Sequence, residues 1–243
     1  MEEISLKAEE IFHVGNFPIT NSLFLTLLVS CILVIFALFL RQKLALVPGK
    51  VQSAAEMGIE KLLDVMHTTL GTRHTAERYF PLIATIFIFI MLSNLLGIFP
   101  GVGSFVVHEH GKEIPLLRSP AADLNFTLAF AVISVLATNV LGMMAVGIFP
   151  HISKFINFKN PIAFFIGILE LVSEIAKVIS LSFRLFGNVF AGEVLLIIVF
   201  SLAPYIIPLP FLMLELFVGV IQAFLFAMLT LVSIALHTAT TEH

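Results

Sequence analysis

Five stretches of this chain are too apolar to face water over most of their length, and they constrain its fold more than any other feature. A helix needs about 20 apolar residues to cross a bilayer core about 30 Å thick. Residues 22–40 form such a run without a charge and stop at Arg41 and Lys43. Residues 82–99 form the second, closed by Pro100 and Gly101. Residues 123–149 form the third, opened by Asp123 and closed by Pro150. Residues 161–202 and 211–237 follow, separated by a breaker rich in proline from Pro204 to Pro210. Only 12% of the 243 residues are charged and mean hydropathy is +1.07, against about 25% charged residues in soluble domains. A soluble globular fold is excluded. The net charge of -3, without a basic stripe, gives no electrostatic footing for nucleic acid. The single cysteine, Cys31, leaves no material for an intrachain disulfide or a cysteine-built metal site.

The predicted fold is an all-α polytopic membrane protein, one integral membrane domain over residues 1–243 with about five hydrophobic passes. Residues 48–71 interleave Val51, Met57, Ile59, Leu62, Leu63, Val65 and Met66 with Lys50, Glu56, Glu60, Lys61 and Asp64. That pattern suits an amphipathic helix lying at the membrane interface. The first twenty residues carry Glu2, Glu3, Glu9 and Glu10 and no basic leader, so a cleaved signal peptide is not expected. Arg41, Lys43, Lys50, Lys61, Arg73, Arg78, Lys154 and Lys159 lie on one side, and Lys7, Lys112 and Arg118 on the other. The positive-inside rule then places the N-terminus outside and the C-terminus inside. Residues 161–202 as one helix would extend about 60 Å, twice the hydrocarbon thickness, so the helix must tilt, bend or break. With residues 211–237 it would make a long, strongly tilted helical hairpin offering a flank to a partner.

The last two segments carry ionisable residues that are costly in a membrane and mark function by default. At about 100° per residue, Glu170, Ser173, Lys177, Ser180, Asn188 and Ala191 fall within about 40° of Arg184, whereas Glu193 falls about 180° away. On the last segment Glu215, Gly219, Gln222, Phe226 and Ser233 share a face. An arginine stays protonated, so Arg184 is a fixed charge that repels cations and attracts a carboxylate in a low dielectric. Glutamates can take up and release protons. Glu170 on one side of Arg184, and Glu193 with Glu215 on the other, suggest two half-pathways that do not meet. Plainer roles stay open: Lys177 pairing with Glu170, Ser173 or Glu174 or snorkelling to the interface, and Glu193 and Glu215 sharing one proton in a mutual hydrogen bond.

The run Ile179-Ser180-Leu181-Ser182-Phe183-Arg184-Leu185-Phe186-Gly187-Asn188-Val189-Phe190-Ala191-Gly192-Glu193 closely resembles the signature of the a subunit of F-type ATP synthases. Ser93 to Pro100, Ala122 to Asn125, Leu169-Glu170 and Ile221 to Phe224 match the same family in order. The resemblance implies a stator of the membrane (Fo) sector, beside a ring of c subunits, held with the b-subunit peripheral stalk and the rest of the synthase. It implies two offset half-channels delivering protons to and from the ring carboxylates, with Arg184 facing the ring and blocking direct leak. By the same match Asn188 and Gln222 lie near that arginine, Glu193 belongs to the outer half-channel, and Glu170 to the inner one; Ser173, on the polar stripe, is also expected along the ion pathway. The site of Glu215 is a histidine in some members, so an acid pair here departs from them. One charge falling through 100 mV yields about 2.3 kcal/mol, so several ions must be gathered by rotation for each ATP. The chain would perform no nucleotide chemistry itself, and it has no GxxxxGK[ST] loop. The starting Met and simple topology suit a bacterial plasma membrane.

Other signals are weaker. His108-Glu109-His110 lacks a third ligand and is expected to be a solvated loop. No cofactor or metal is expected, and lipid is the only further partner. His13, His67, His74 and His151 fall in interfacial or loop segments with no functional role assigned. Asn94 and Asn139 are expected to bond between helices, and Gly142, Gly147, Gly187 and Gly192 to permit close helix approach. Two alternatives, a stand-alone ion channel or a secondary ion transporter, lack a filter and duplicated halves respectively.

Overall fold

The computed structural model describes residues 8–14, 17–99, 106–109, 112–155 and 160–238. An antiparallel ribbon, β1 (Glu10–Val14) with β2 (Phe17–Thr20), leads into α1 (Asn21–Gln42). Thr20 caps that helix by accepting from the Leu23 N–H at 3.3 Å. Only Asn21, Ser22, Leu25 and Val29 of α1 are buried, so most of its apolar surface faces outward as lipid contact requires. α2 (Lys50–Leu70) is amphipathic, burying Leu63 and Met66, and stops at Gly71 in the left-handed region at φ 81°. Thr72 then caps α3 (Arg73–Ile98), which begins well before its apolar run: Arg73 pairs with Glu77 within the first turns of α3 and with Asp64 of α2, each at 3.2 Å.

A second ribbon, β3 (Val106–Glu109) with β4 (Lys112–Pro115), and a 3-10 turn at Pro120–Ala122 precede α4 (Leu124–Val146). His108 and Glu109 lie on β3, while His110, Pro100, Gly101, Lys7 and Lys159 lie outside the described residues. Asp123 caps α4 through the Asn125 N–H at 2.9 Å and accepts from Ser22 Oγ at 2.7 Å, which pins the starts of α1 and α4 together. α4 ends at Gly147, φ 99°, and α5 (Ile148–Phe155) turns away from it. α6 (Pro161–Leu202) runs unbroken for 42 residues. α7 (Pro208–Thr238) opens on Pro208 and Pro210, tolerated in a first turn whose N–H groups have no intrahelical partner.

Five of these helices, α1, α3, α4, α6 and α7, are long and apolar enough to cross a membrane. The core lies among α3, α4, α6 and α7, where Ile83, Ile86, Ile90, Ala131, Leu185, Val189, Leu231 and Ile234 are buried. Ala223 and Ala227 are fully covered on α7, and small residues of this kind let membrane helices approach closely. Asn94 donates from Nδ2 to the Gly219 carbonyl at 2.9 Å, an interhelical bond between α3 and α7. These contacts leave one flank of α6 uncovered.

Candidate functional site

That flank carries the polar stripe. Ser173, Ser180, Arg184, Gly187, Asn188 and Ala191 are all exposed, while Leu181, Ser182, Leu185 and Val189 on the other side are buried. The 100° periodicity sets these residues on different faces, and packing against α4 and α7 buries one of them. Arg184 stands near the middle of α6, where its Nη2 donates to Ser180 Oγ at 3.3 Å. Among the described residues it forms no ion pair. A cation in that position cannot be left against lipid without a cost of several kcal/mol. A Cβ built on Gly187 meets nothing within 4 Å, so this glycine, unlike Gly142 and Gly192, packs against no other helix of the chain.

Towards the C-terminal end of α6, Glu193 turns to the opposite face and meets Arg118 from the loop before the 3-10 turn, Nε to Oε2 at 3.6 Å. Glu215 of α7 is buried beside it, its carboxyl against the α6 backbone: a Cβ on Gly192 would stand 2.7 Å from Glu215 Oε1. Neither Glu193 Oε2 nor Glu215 Oε2 has a hydrogen-bond partner, so no bond joins these two atoms. Arg118 is thus the cation beside Glu193. Its only signal in the sequence was its position as a lone cation beside the start of α4. Gly192→Ala should displace the Glu215 carboxyl and slow proton translocation several-fold at unchanged complex content, as measured by ATP-driven vesicle acidification. Gln222 is half-buried on α7 and Asn188 exposed on α6.

Towards the N-terminal end of α6 a second cluster forms around Glu174, which sequence reasoning named only as a possible partner for Lys177. Glu174 accepts from Lys177 Nζ at 2.5 Å and from Asn139 Nδ2 at 3.1 Å, and lies 3.3 Å from His237 Nε2. Asn139 Oδ1 accepts from His151 Nε2 at 3.1 Å, because its amide nitrogen is already directed at Glu174. His151 is not a solvated loop side chain: it is 1% exposed, carried by α5 under the end of α4. Gly142 makes room for it, since a Cβ there would come within 2.8 Å of His151 Cε1 and 2.9 Å of His237 Cβ. Burial is the main force holding the His151 imidazole below its ordinary 6.5. Its stabilising contribution is therefore complete above that value and lost as pH falls through the lowered one. Thermal unfolding of the solubilised complex should show this acid slope, and His151→Gln should flatten it.

Two cavities flank this cluster. One, about 190 Å³, lies between α4, α6 and α7 and includes Ser134, Thr138, Lys177, Ser180, Arg184 and Ser233 in its wall. The other, about 500 Å³, is walled by the ends of α4 and α6 with α5, including Ser153, Lys154 and Glu170. Ser173 lines neither.

Membrane-length helices with a fixed cation midway along one of them, and carboxylates in two separate clusters on either side, define a polytopic membrane protein built to handle ions. The family model of the ATP synthase A chain matches residues 23–235. ATP synthase subunit a of Campylobacter fetus is 33% identical over 235 residues, covering 97% of this chain and 96% of its own length. The subunit a of a Campylobacter jejuni strain is 35% identical over 234 residues, with 95% and 90% covered, and that of Moorella thermoacetica 33% over 226, with 93% and 94% covered. The chain belongs to the ATP synthase A chain family. It is thus a multi-pass membrane component of the synthase, concerned with proton translocation and not itself catalytic.

Proposed function

We propose that the chain is the stator beside which a ring of c subunits turns, and that Arg184 is the charge facing the ring carboxylates. The observation that carries this reading is the exposed Arg184, without an acidic partner among the described residues of its own chain, midway along a polar stripe on a helix otherwise apolar. A cation so placed is accounted for by a carboxylate brought from another chain. Glu193 and Glu215, with Arg118, form the outer half-channel, and Asn188 and Gln222 line the surface near the arginine. Glu170 and Ser173 belong to the inner half-channel, Glu170 through the larger cavity. Arg184 separates the two routes, so a proton crosses only by riding the ring. α6 and α7 form a strongly tilted hairpin along the ring, and the b-subunit peripheral stalk holds the chain against rotation. The distribution of Lys and Arg supports an N-terminus outside and a C-terminus inside, in a bacterial plasma membrane. ATP-driven proton pumping by vesicles carrying Arg184→Ala in the assembled complex tests the proposal.

A further inference from the structure

The geometry points to a buried proton-binding relay, His237 with Glu174, as the link that carries protons between the Arg184 cavity and the larger cavity at the other end of α6. The inference rests on the stator reading and assigns residues that neither the sequence motif nor the polar stripe contains.

Position is the first support. Along α6, Glu174 falls between Glu170, which lines the larger cavity, and Lys177, Ser180 and Arg184, which line the smaller. Along α4, Asn139 falls between Thr138 of the smaller cavity and Val146 of the larger. His237 follows directly after Leu236 of the smaller cavity, and His151 lies between Pro150 and Ser153 of the larger. An oxygen of Glu170, one of Glu174 and a ring nitrogen of His237 lie within 4.8 Å of one another, a spacing one water can bridge.

Hydrogen bonding is the second. His237 Nδ1 donates to the Ser233 carbonyl at 2.7 Å, which fixes that nitrogen as N–H and leaves Nε2 as the atom that gains or loses a proton. Nε2 is buried without a hydrogen bond and stands opposite Glu174 Oε1. Buried Ser134 Oγ and Ser233 Oγ, both in the wall of the smaller cavity, are likewise unpartnered, as expected of groups that hold water there. His151 does not move protons; it positions Asn139, which holds the other oxygen of Glu174. The charged and titratable groups acting on the two histidines are Glu174, Lys177 and Glu170 of α6, Lys154 of α5, and each other, their ring centroids 5.6 Å apart. α4 has no charged residue and contributes the neutral Asn139. Lys177 offsets the Glu174 charge.

In the direction of synthesis, a ring carboxyl gives its proton to water in the smaller cavity as that water passes one to Nε2, the N–H bond breaks as Glu174 Oε1 takes the proton up, and water in the larger cavity carries it off past Glu170 as hydronium. Only N–H and O–H bonds form and break, and ATP hydrolysis runs the sequence backwards.

The test is ATP-driven proton pumping by vesicles with the assembled complex, normalised to complex content, for His237→Gln and Glu174→Gln. Both should pump about tenfold or more slowly. His237→Gln should also lose the wild-type pH dependence between about pH 6 and 8, and added imidazole should restore part of the rate in His237→Ala. Should Glu174→Gln lower complex content by leaving Lys177 unpaired, His237→Gln, which keeps that pair, decides the matter. Wild-type rates, or slow rates with an unchanged pH profile and no imidazole effect, overturn the relay. Arg184→Ala measured alongside separates the two claims: lost pumping there with normal pumping in His237→Gln removes the relay alone, whereas normal pumping in Arg184→Ala removes the stator reading.

Discussion

Replacing Arg184 with alanine should abolish ATP-driven proton pumping while leaving the complex assembled. The side chain is exposed and its one hydrogen bond among the described residues, to Ser180, is local to α6, so its removal opens no cavity in the core. What it removes is an attraction. Two unit charges about 4 Å apart interact by about 4 kcal/mol at an effective dielectric of about 20, equivalent to about three orders of magnitude in an equilibrium or rate at 1.36 kcal/mol per decade. An ionised ring carboxylate would have to pass this point without that compensation, so rotation stops. The barrier between the two half-pathways disappears as well, and passive proton leak should rise. Arg184→Lys should retain only part of the function, because an ammonium lacks the planar fork and can give up its proton. Normal pumping in Arg184→Ala would make the residue structural and remove the assignment of roles.

The second large effect is expected at the opposite cluster. Glu193→Gln with Glu215→Gln keeps side-chain volume and hydrogen-bonding groups but removes both titrating atoms. Positioned proton transfer contributes about 100-fold or more to rates that depend on it, so the double variant should translocate at least about tenfold more slowly and lose the pH dependence the carboxylates impart. Glu193→Gln alone also removes the charge that faces Arg118, whose side chain is 10% exposed. Glu215→His is the informative conservative change: it restores a titrating group beside Gly192 and should recover translocation with a displaced pH optimum. Unchanged rates in the double variant would eliminate this route.

Much of the architecture was legible in the sequence because it depends on short-range rules. Apolar runs of membrane length give five spanning helices, and the 3.6-residue period places Ser173, Ser180, Arg184 and Asn188 on one face with Glu193 on the other. The helix ends followed local chemistry less completely. α3 starts at Arg73, ahead of its apolar stretch, because a capping threonine and ion pairs extend it. α4 stops at Val146 because Gly147 adopts a positive φ that ends the helix before Pro150 is reached.

The sequence by itself determined the membrane class, the intramembrane arginine and the side of α6 that carries it, since each follows from spacing within one segment. Only the tertiary structure decided which charges meet. Arg118 reaches Glu193 from a loop far away in sequence, Glu174 is shared by Lys177, Asn139 and His237, and Gly142 clears the space for His151. These contacts depend on the relative register of helices packed side by side, a property fixed by how their surfaces interlock and absent from the period of any one of them.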